Sequence, residues 1–294
     1  VLIGPASIYQ QLLNFDEGAF DGNVEIEHLD LSGLEVENIS SMANFAQGAS
    51  MLKHLNLEGW NVSEVNDFSN MLKGCRVLKH LNLSGWDIKQ EVNRNDMFNS
   101  VPEDLESVIY KDINVSTYPK IKRGVKAGGT LDLTNFDLSG ATSLNGFFEG
   151  FKGSKIEGLG TWTNTQNIAN MSSMFKNATN LTSITGLENW DTSNVTDMSS
   201  MFENATNLVS VDGIENWDTS NVTNMGTMFW KARALKSVDL SNWNTSSVTA
   251  MNGMFRECQE LESASLGGWD VSQVNSFKNM FLETKKLGLL DLSS

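Results

Sequence analysis

The stretch Leu235-Lys-Ser-Val238-Asp-Leu240-Ser-Asn-Trp243 decides the architecture. Its apolar residues fall as L-x-x-L-x-L-x-x-W. The same pattern recurs from Leu52 to Trp60, from Leu78 to Trp86 and, with Ala264 replacing one aliphatic, from Leu261 to Trp269. Ile26 to Leu34 keeps the spacing without the Trp. Val238 and Leu240 alternate with Asp239 and Ser241, the period of two of a strand with one buried and one wet face.

Tryptophan stands at 60, 86, 162, 190, 217, 243 and 269, with Leu34, Ile113 and Phe136 at matching places, so the step is about 26 residues. A period of that length marks a solenoid, whose units bury their apolar faces only by stacking. The strand pattern is that of a leucine-rich repeat, with Trp where Asn or Cys usually stands. Downstream, Met198, Met201, Phe202, Ala205 and Leu208 follow the spacing of one helix face. Ser41, Asp67, Asp197, Asn224 and Ser276 sit where N-caps would. Val65, Val195, Val222, Val248 and Val274 fill an isolated inward position between strand and helix. The expected fold is therefore α/β, a leucine-rich-repeat-like solenoid of about ten coils. A parallel sheet would form one face and short helices the other, over roughly 50 Å at the usual strand spacing.

The 294 residues, 40% hydrophobic, can bury a long core in one elongated domain. Four stretches are expected: a capping segment at 1–25, with Ser7 opening a helix; regular repeats at 26–86; irregular repeats with a basic loop at 87–135; and regular repeats at 136–294. A net charge of −15 argues against nucleic acid and anionic lipid as partners. No run of about 18 apolar residues exists to enter a membrane. The opening VLIGPASIYQ lacks the marks of a signal peptide. The last residues stop just short of the next Trp place, so the chain is expected to be a piece of something longer.

Two surface features could carry binding. Lys120, Lys122, Arg123 and Lys126 cluster with Lys111 around Tyr118-Pro119 in the irregular zone. They form either a solvated loop or a partner contact held by a rigid frame. His28, His54 and His80 occupy one slot on three successive strands and should form a ladder on the wet face. Strands about 4.8 Å apart suit zinc poorly. A jointly titrating ladder, or simple duplication of an ancestral unit, are the remaining readings.

The Trp series would be a carbohydrate platform only if exposed, and the repeat register points it inward. Asp87, Asp191, Asp218 and Asp270 read as turn-forming side chains rather than calcium ligands, because Asn61 and Asn244 share their slot. Asn-x-Ser/Thr triplets such as Asn194-Val-Thr196 read as turn chemistry too. Cys75 and Cys258 share a slot filled elsewhere by Ala or Thr and should be buried free thiols. No catalytic motif concentrates reactive groups, so no enzyme activity, cofactor or metal is expected.

The run N-W-D-T-S-N-V-T-D-M-S-S-M-F-x-N-A-T-N-L, from Asn189 to Leu208 and again from Asn216, resembles the bacterial surface protein repeat of about 26 residues, related to BspA-like leucine-rich repeats. The match is good from Ile26 to Trp86, poor between Glu91 and Thr130, and specific from Trp162 onward. The resemblance implies an exported, secreted or lipid-anchored bacterial surface protein associated with adhesion. It transfers no binding residues, because Trp190, Met198, Met201, Phe202 and Leu208 all read as core. The expected function is a non-enzymatic, monomeric adhesion module that meets a protein or host-surface ligand. The alternatives are a structural stalk displaying another domain and a glycan-binding accessory module.

Overall fold

Strand alternation is the first element realised in the computed structural model, which describes residues 25–34, 36, 39–89, 91–102, 105–115 and 128–293. The chain divides into two compact units, with the boundary between Asp137 and Leu138. In the first, β1 (His28–Asp30), β2 (His54–Asn56), β3 (His80–Asn82), β4 (Ser107–Ile109) and β5 (Thr130–Asp132) pair in parallel, one per coil. The central residues Leu29, Leu55, Leu81, Val108 and Leu131 are buried, while the flanking residues of β1 to β4 are partly or fully exposed. The second unit carries β6 (Lys155–Glu157), β7 (Ser183–Ile184), β8 (Ser210–Val211), β9 (Ser237–Asp239), β10 (Ser263–Ser265) and β11 (Leu289–Asp291). Within it β7 pairs with β8, and β10 pairs with β9 and β11, again in parallel.

The wall opposite the strands differs from expectation. Among the described residues it contains no α-helix but successive turns; single 3-10 turns at Leu159–Thr161, Thr165–Asn167, Leu187–Asn189 and Ile214–Asn216 lie elsewhere, next to a strand or to a Trp of the series. The reason lies in the backbone of the coil that holds Met198. The amides of Met201, Glu203 and Ala205 reach three residues back, to Met198, Ser200 and Phe202. Those of Ser200, Phe202 and Asn204 instead cross to the next coil, to Gly226, Met228 and Trp230. A helix would need all of these amides for itself. Ser200 and Asn204 are left-handed, at φ 56 and 57°, which bends the chain every four residues into successive tight turns.

The polar side chains read as N-caps keep their chemistry in this setting. Asp67, Asp197 and Asn224 accept the backbone N–H two residues on, at 2.8, 2.9 and 3.0 Å. They initiate a turn instead of a helix, and they sit on a second line of parallel bridges, including Asp197 to Asn224.

The core consists of columns. Met198, Met201, Phe202, Ala205 and Leu208 are fully buried, so the apolar spacing pointed inward as expected although the backbone is not helical. Phe175, Phe202, Phe229, Phe255 and Phe281 stack at 5.3–5.5 Å between ring centres, within 14° of parallel. Trp60, Trp86, Trp190, Trp217, Trp243 and Trp269 turn their indole N–H groups to a carbonyl of the preceding coil, Trp60 to Leu31 at 2.9 Å and Trp243 to Ile214 at 2.8 Å. The one polar atom of a buried indole is thereby satisfied. Buried Thr192, Thr219 and Thr245 donate in the other direction, to carbonyls of Asp218, Asn244 and Asp270.

Cys75 and Cys258 are free and buried, as expected. Each thiol points at a carbonyl one coil back, Ala46 or Phe229, at 3.1 Å. Thr284 uses the same slot to donate to Phe255 at 2.8 Å, so what Cys and Thr share there is a donor as well as small size. Burial pushes both thiols up to about 12. A thiol reagent such as Ellman's should therefore find neither cysteine in the folded protein and both after unfolding. Fast labelling of either native thiol would mean that its coil opens readily.

Candidate functional site

The strand wall of the first unit is the best-defined polar surface. Parallel pairing in register sets His28 beside His54 and His54 beside His80. Their rings stack at 4.1 and 4.2 Å, 20° and 17° from parallel, as the shared slot predicts. His80 Nδ1 lies 2.8 Å from the Ser107 hydroxyl, and its Nε2 lies 3.5 Å from Glu106. Ion pairs flank the ladder, Lys53 with Glu27 at 2.8 Å and Lys79 with Glu106 at 3.3 Å. On its other side Asp30 and Asn82 accept both the amide and the hydroxyl of Ser32 and Ser84. Asn82 also donates to Glu58 at 3.0 Å.

Stacked imidazoles face one another with their π-surfaces, so their in-plane nitrogen lone pairs cannot converge on one ion at about 2.0–2.1 Å. Among the described residues no group of three or more His, Cys, Asp or Glu side chains is placed to hold a metal. The carboxylates of Asp191, Asp218 and Asp270 accept backbone N–H groups of Ser193, Ser220 and Ser272 at 2.9–3.0 Å, as turn formers do.

The ladder should make the stability of the first unit depend on pH. Burial holds the His54 imidazole below its ordinary value, and charge on His80 and His28 pushes the same way against Glu106. The unfolded chain, with His54 near 6.5, thus binds a proton more readily than the folded one. Stability is intact above that pH, declines as pH falls through it, and stops declining below the depressed folded value. Glu27 and Asp30 are themselves held below the usual carboxylate range, by the Lys53 ammonium and the Ser32 hydroxyl, so they do not titrate in this window. Between about pH 7.5 and 5 the urea midpoint should fall further in the parent protein than in His54→Gln. Equal falls would exclude the ladder as the cause.

The other candidates fare differently. Lys120, Lys122, Arg123 and Lys126 lie outside the described residues, as does the capping segment to residue 24. Lys111, read with that cluster, pairs with Asp132 at 3.3 Å. Asn194 and Asn221 donate their amides to carbonyls of the preceding coil, Gln166 and Ser193, in keeping with turn chemistry. Trp60, Trp86, Trp162, Trp190, Trp217 and Trp243 are at most 6% exposed, so their column presents no platform for sugar rings.

One residue was not singled out by the repeat pattern. Trp230 is the eighth tryptophan and the one off the period, half-buried on the turn wall beside Lys231, Arg233 and Arg256. Its break with the spacing was the available signal.

A family model described as "Mycoplasma protein of unknown function, DUF285" matches residues 16–126, 118–211, 142–238 and 208–291, nearly the whole chain. The chain belongs to this family. The resemblance to the bacterial surface protein repeat is thereby borne out, and the successive matches reflect the repeats of this DUF285 chain. Comparison with curated proteins finds no match.

Among solved structures, a leucine-rich-repeat protein of Leptospira interrogans is 12% identical over 100% of this chain and 83% of its own, with a TM-score of 0.29. A leucine-rich cell surface protein of Faecalibacterium prausnitzii is 12% identical over 86% and 76%, at 0.24. The TLR13–ssRNA13 complex is 17% identical over 85% of this chain, at 0.26, and the chain spans only 43% of that molecule. No helix among the described residues is long and apolar enough to cross a membrane.

Proposed function

We propose that this chain is a non-enzymatic, surface-displayed protein-binding module whose strand wall meets a protein or host-surface ligand. The observation that carries this reading is the contrast between wall and core. The inward columns repeat Leu, Trp, Met and Phe coil after coil. The outward strand positions change from His and Asp at β1, to Ser and Ile at β4, to Lys and Glu at β6, to Ser at both places of β10. A constant frame with a varying face is what recognition of a particular partner requires. The resemblance to surface repeats supports display outside a bacterial cell. The small polar strand residues of the second unit, Ser183, Ser210, Ser237 and Ser263, favour a stalk as the second reading.

The test is binding of the purified chain to host cells and a panel of extracellular-matrix proteins at physiological salt. It is run beside a strand-face variant, His54→Ser with Glu58→Ser, and a loop variant with Lys120, Lys122, Arg123 and Lys126 changed to Ser. Saturable binding lost in the first variant supports the strand wall. Loss only in the second moves the contact to the basic loop, and no binding by the parent leaves the stalk.

A further inference from the structure

On the turn wall of the second unit, Trp230, Arg256 and Leu282 come from three successive coils, joined by Lys231 N–H to the Arg256 carbonyl at 2.9 Å and Glu257 N–H to the Leu282 carbonyl at 2.7 Å. The Trp230 ring has the Lys231 ammonium 4.8 Å and the Arg256 guanidinium 5.0 Å from its centre, within cation–π range. Its indole N–H donates to Glu257 at 3.2 Å. The same carboxylate faces Arg256 Nε at 3.3 Å and Arg233 at 3.8 Å. Two guanidinium groups and an indole N–H thus share one carboxylate, and the Lys231 ammonium stands outside that set.

Lys231 has no acidic partner among the described residues. Arg256 meets Glu257 through Nε, so its two terminal nitrogens are without a carboxylate there. Glu203, on the preceding coil, is already paired with Lys176 at 3.0 Å. Leu282 is 43% exposed. On a chain of net charge −15 this is a local reversal of sign. At physiological salt fields decay over about 8 Å, so an approaching group meets the patch and not the net charge.

We propose that this patch docks an acidic segment of a partner protein. A carboxylate of that segment is received by the terminal nitrogens of Arg256 and the ammonium of Lys231, while its apolar atoms lie on the free edge of Trp230 and on Leu282. Arginine forms paired hydrogen bonds to carboxylates, and Trp with Arg dominates the energetics of protein interfaces. The proposal rests on the reading of the chain as a protein-binding module but uses the opposite wall from the His ladder.

The test uses the whole chain and a fluorescein-labelled deca-glutamate peptide at physiological salt, with deca-lysine, a sulfated heparin fragment and phosphatidylserine vesicles as comparisons. The peptide should bind saturably, and affinity should fall roughly tenfold or more in the double variant Lys231→Gln, Arg256→Gln. Both side chains lie outside the core, so an unchanged melting curve shows that the fold is kept. Trp230→Phe, which keeps the ring face, should lose less. No saturable binding up to about 1 mM, equal affinity in the double variant, or stronger binding of the heparin fragment or the vesicles would each overturn the proposal. Host-cell binding of the parent protein is measured alongside its peptide binding. If cells are bound while the peptide is not, this patch fails and the module reading stands; if neither is bound, both fall.

Discussion

Replacing Trp217 by alanine should destabilise the second unit by about 3–5 kcal/mol, the range for deleting a buried aromatic side chain. Trp217 is 3% exposed, lies 6.5 Å from the Trp190 ring at 10° from parallel, and donates to the Leu187 carbonyl at 3.0 Å. The alanine variant loses the packing and one of the two hydrogen bonds that the Leu187 carbonyl accepts, the other coming from the Trp190 backbone N–H at 3.2 Å. Phenylalanine keeps most of the packing and loses only the donor, so its cost should be smaller. Trp217 sits between coils, and in a stack each unit draws stability from its neighbours. The gap therefore uncouples the coils on either side, and the urea transition should broaden as well as shift. Trp230→Ala, on the turn wall, should stay within about 1 kcal/mol of the parent. A loss below about 1 kcal/mol for Trp217→Ala would remove the Trp column from the core.

The second large effect is expected at a glycine. Gly213 has φ +93°, and a methyl group on it would lie 2.5 Å from the amide nitrogen of Glu188 and 3.0 Å from its Cα. Alanine there meets two penalties, left-handed backbone at about 1–2 kcal/mol and displacement of a neighbouring coil at about 1–3 kcal/mol. Gly33 isolates the first penalty, because its φ is +75° yet nothing lies within 4 Å of the added methyl. Gly213→Ala should therefore cost about 2–5 kcal/mol and Gly33→Ala only about 1–2. Urea midpoints of the two variants decide this, and equal losses would mean that the coils yield to the methyl group.

Sequence spacing was enough for the strand wall and the columns. Val238 and Leu240 face inward with Asp239 outward, and the common slot of His28, His54 and His80 fixes their ladder. The turn wall was misjudged because spacing at i, i+3, i+4 and i+7 is shared by one helix face and by successive tight turns. The distinguishing signal was chemical. Asn44, Asn70, Asn177, Ser200 and Asn204 all take positive φ, and Asn and Ser are poor residues for a helix interior but good ones for turns. The Trp230 patch was harder to see, because it forms only when three coils align side chains that lie about 26 residues apart in sequence. The ion pairs beside the His ladder need the same alignment.

The near identity of neighbouring coils also bears on how the chain reaches its fold. The segment from Trp190 to Phe202 differs from that of Trp217 to Phe229 at only a few positions, and both bury the same Trp, Val, Met and Phe columns. A docking error that skips one whole coil would keep nearly all of those buried contacts, so it forms a kinetic trap of the kind repeat proteins fall into. Residues that break the sameness, such as Trp230 with the cations around it, act as register marks that penalise the skipped state.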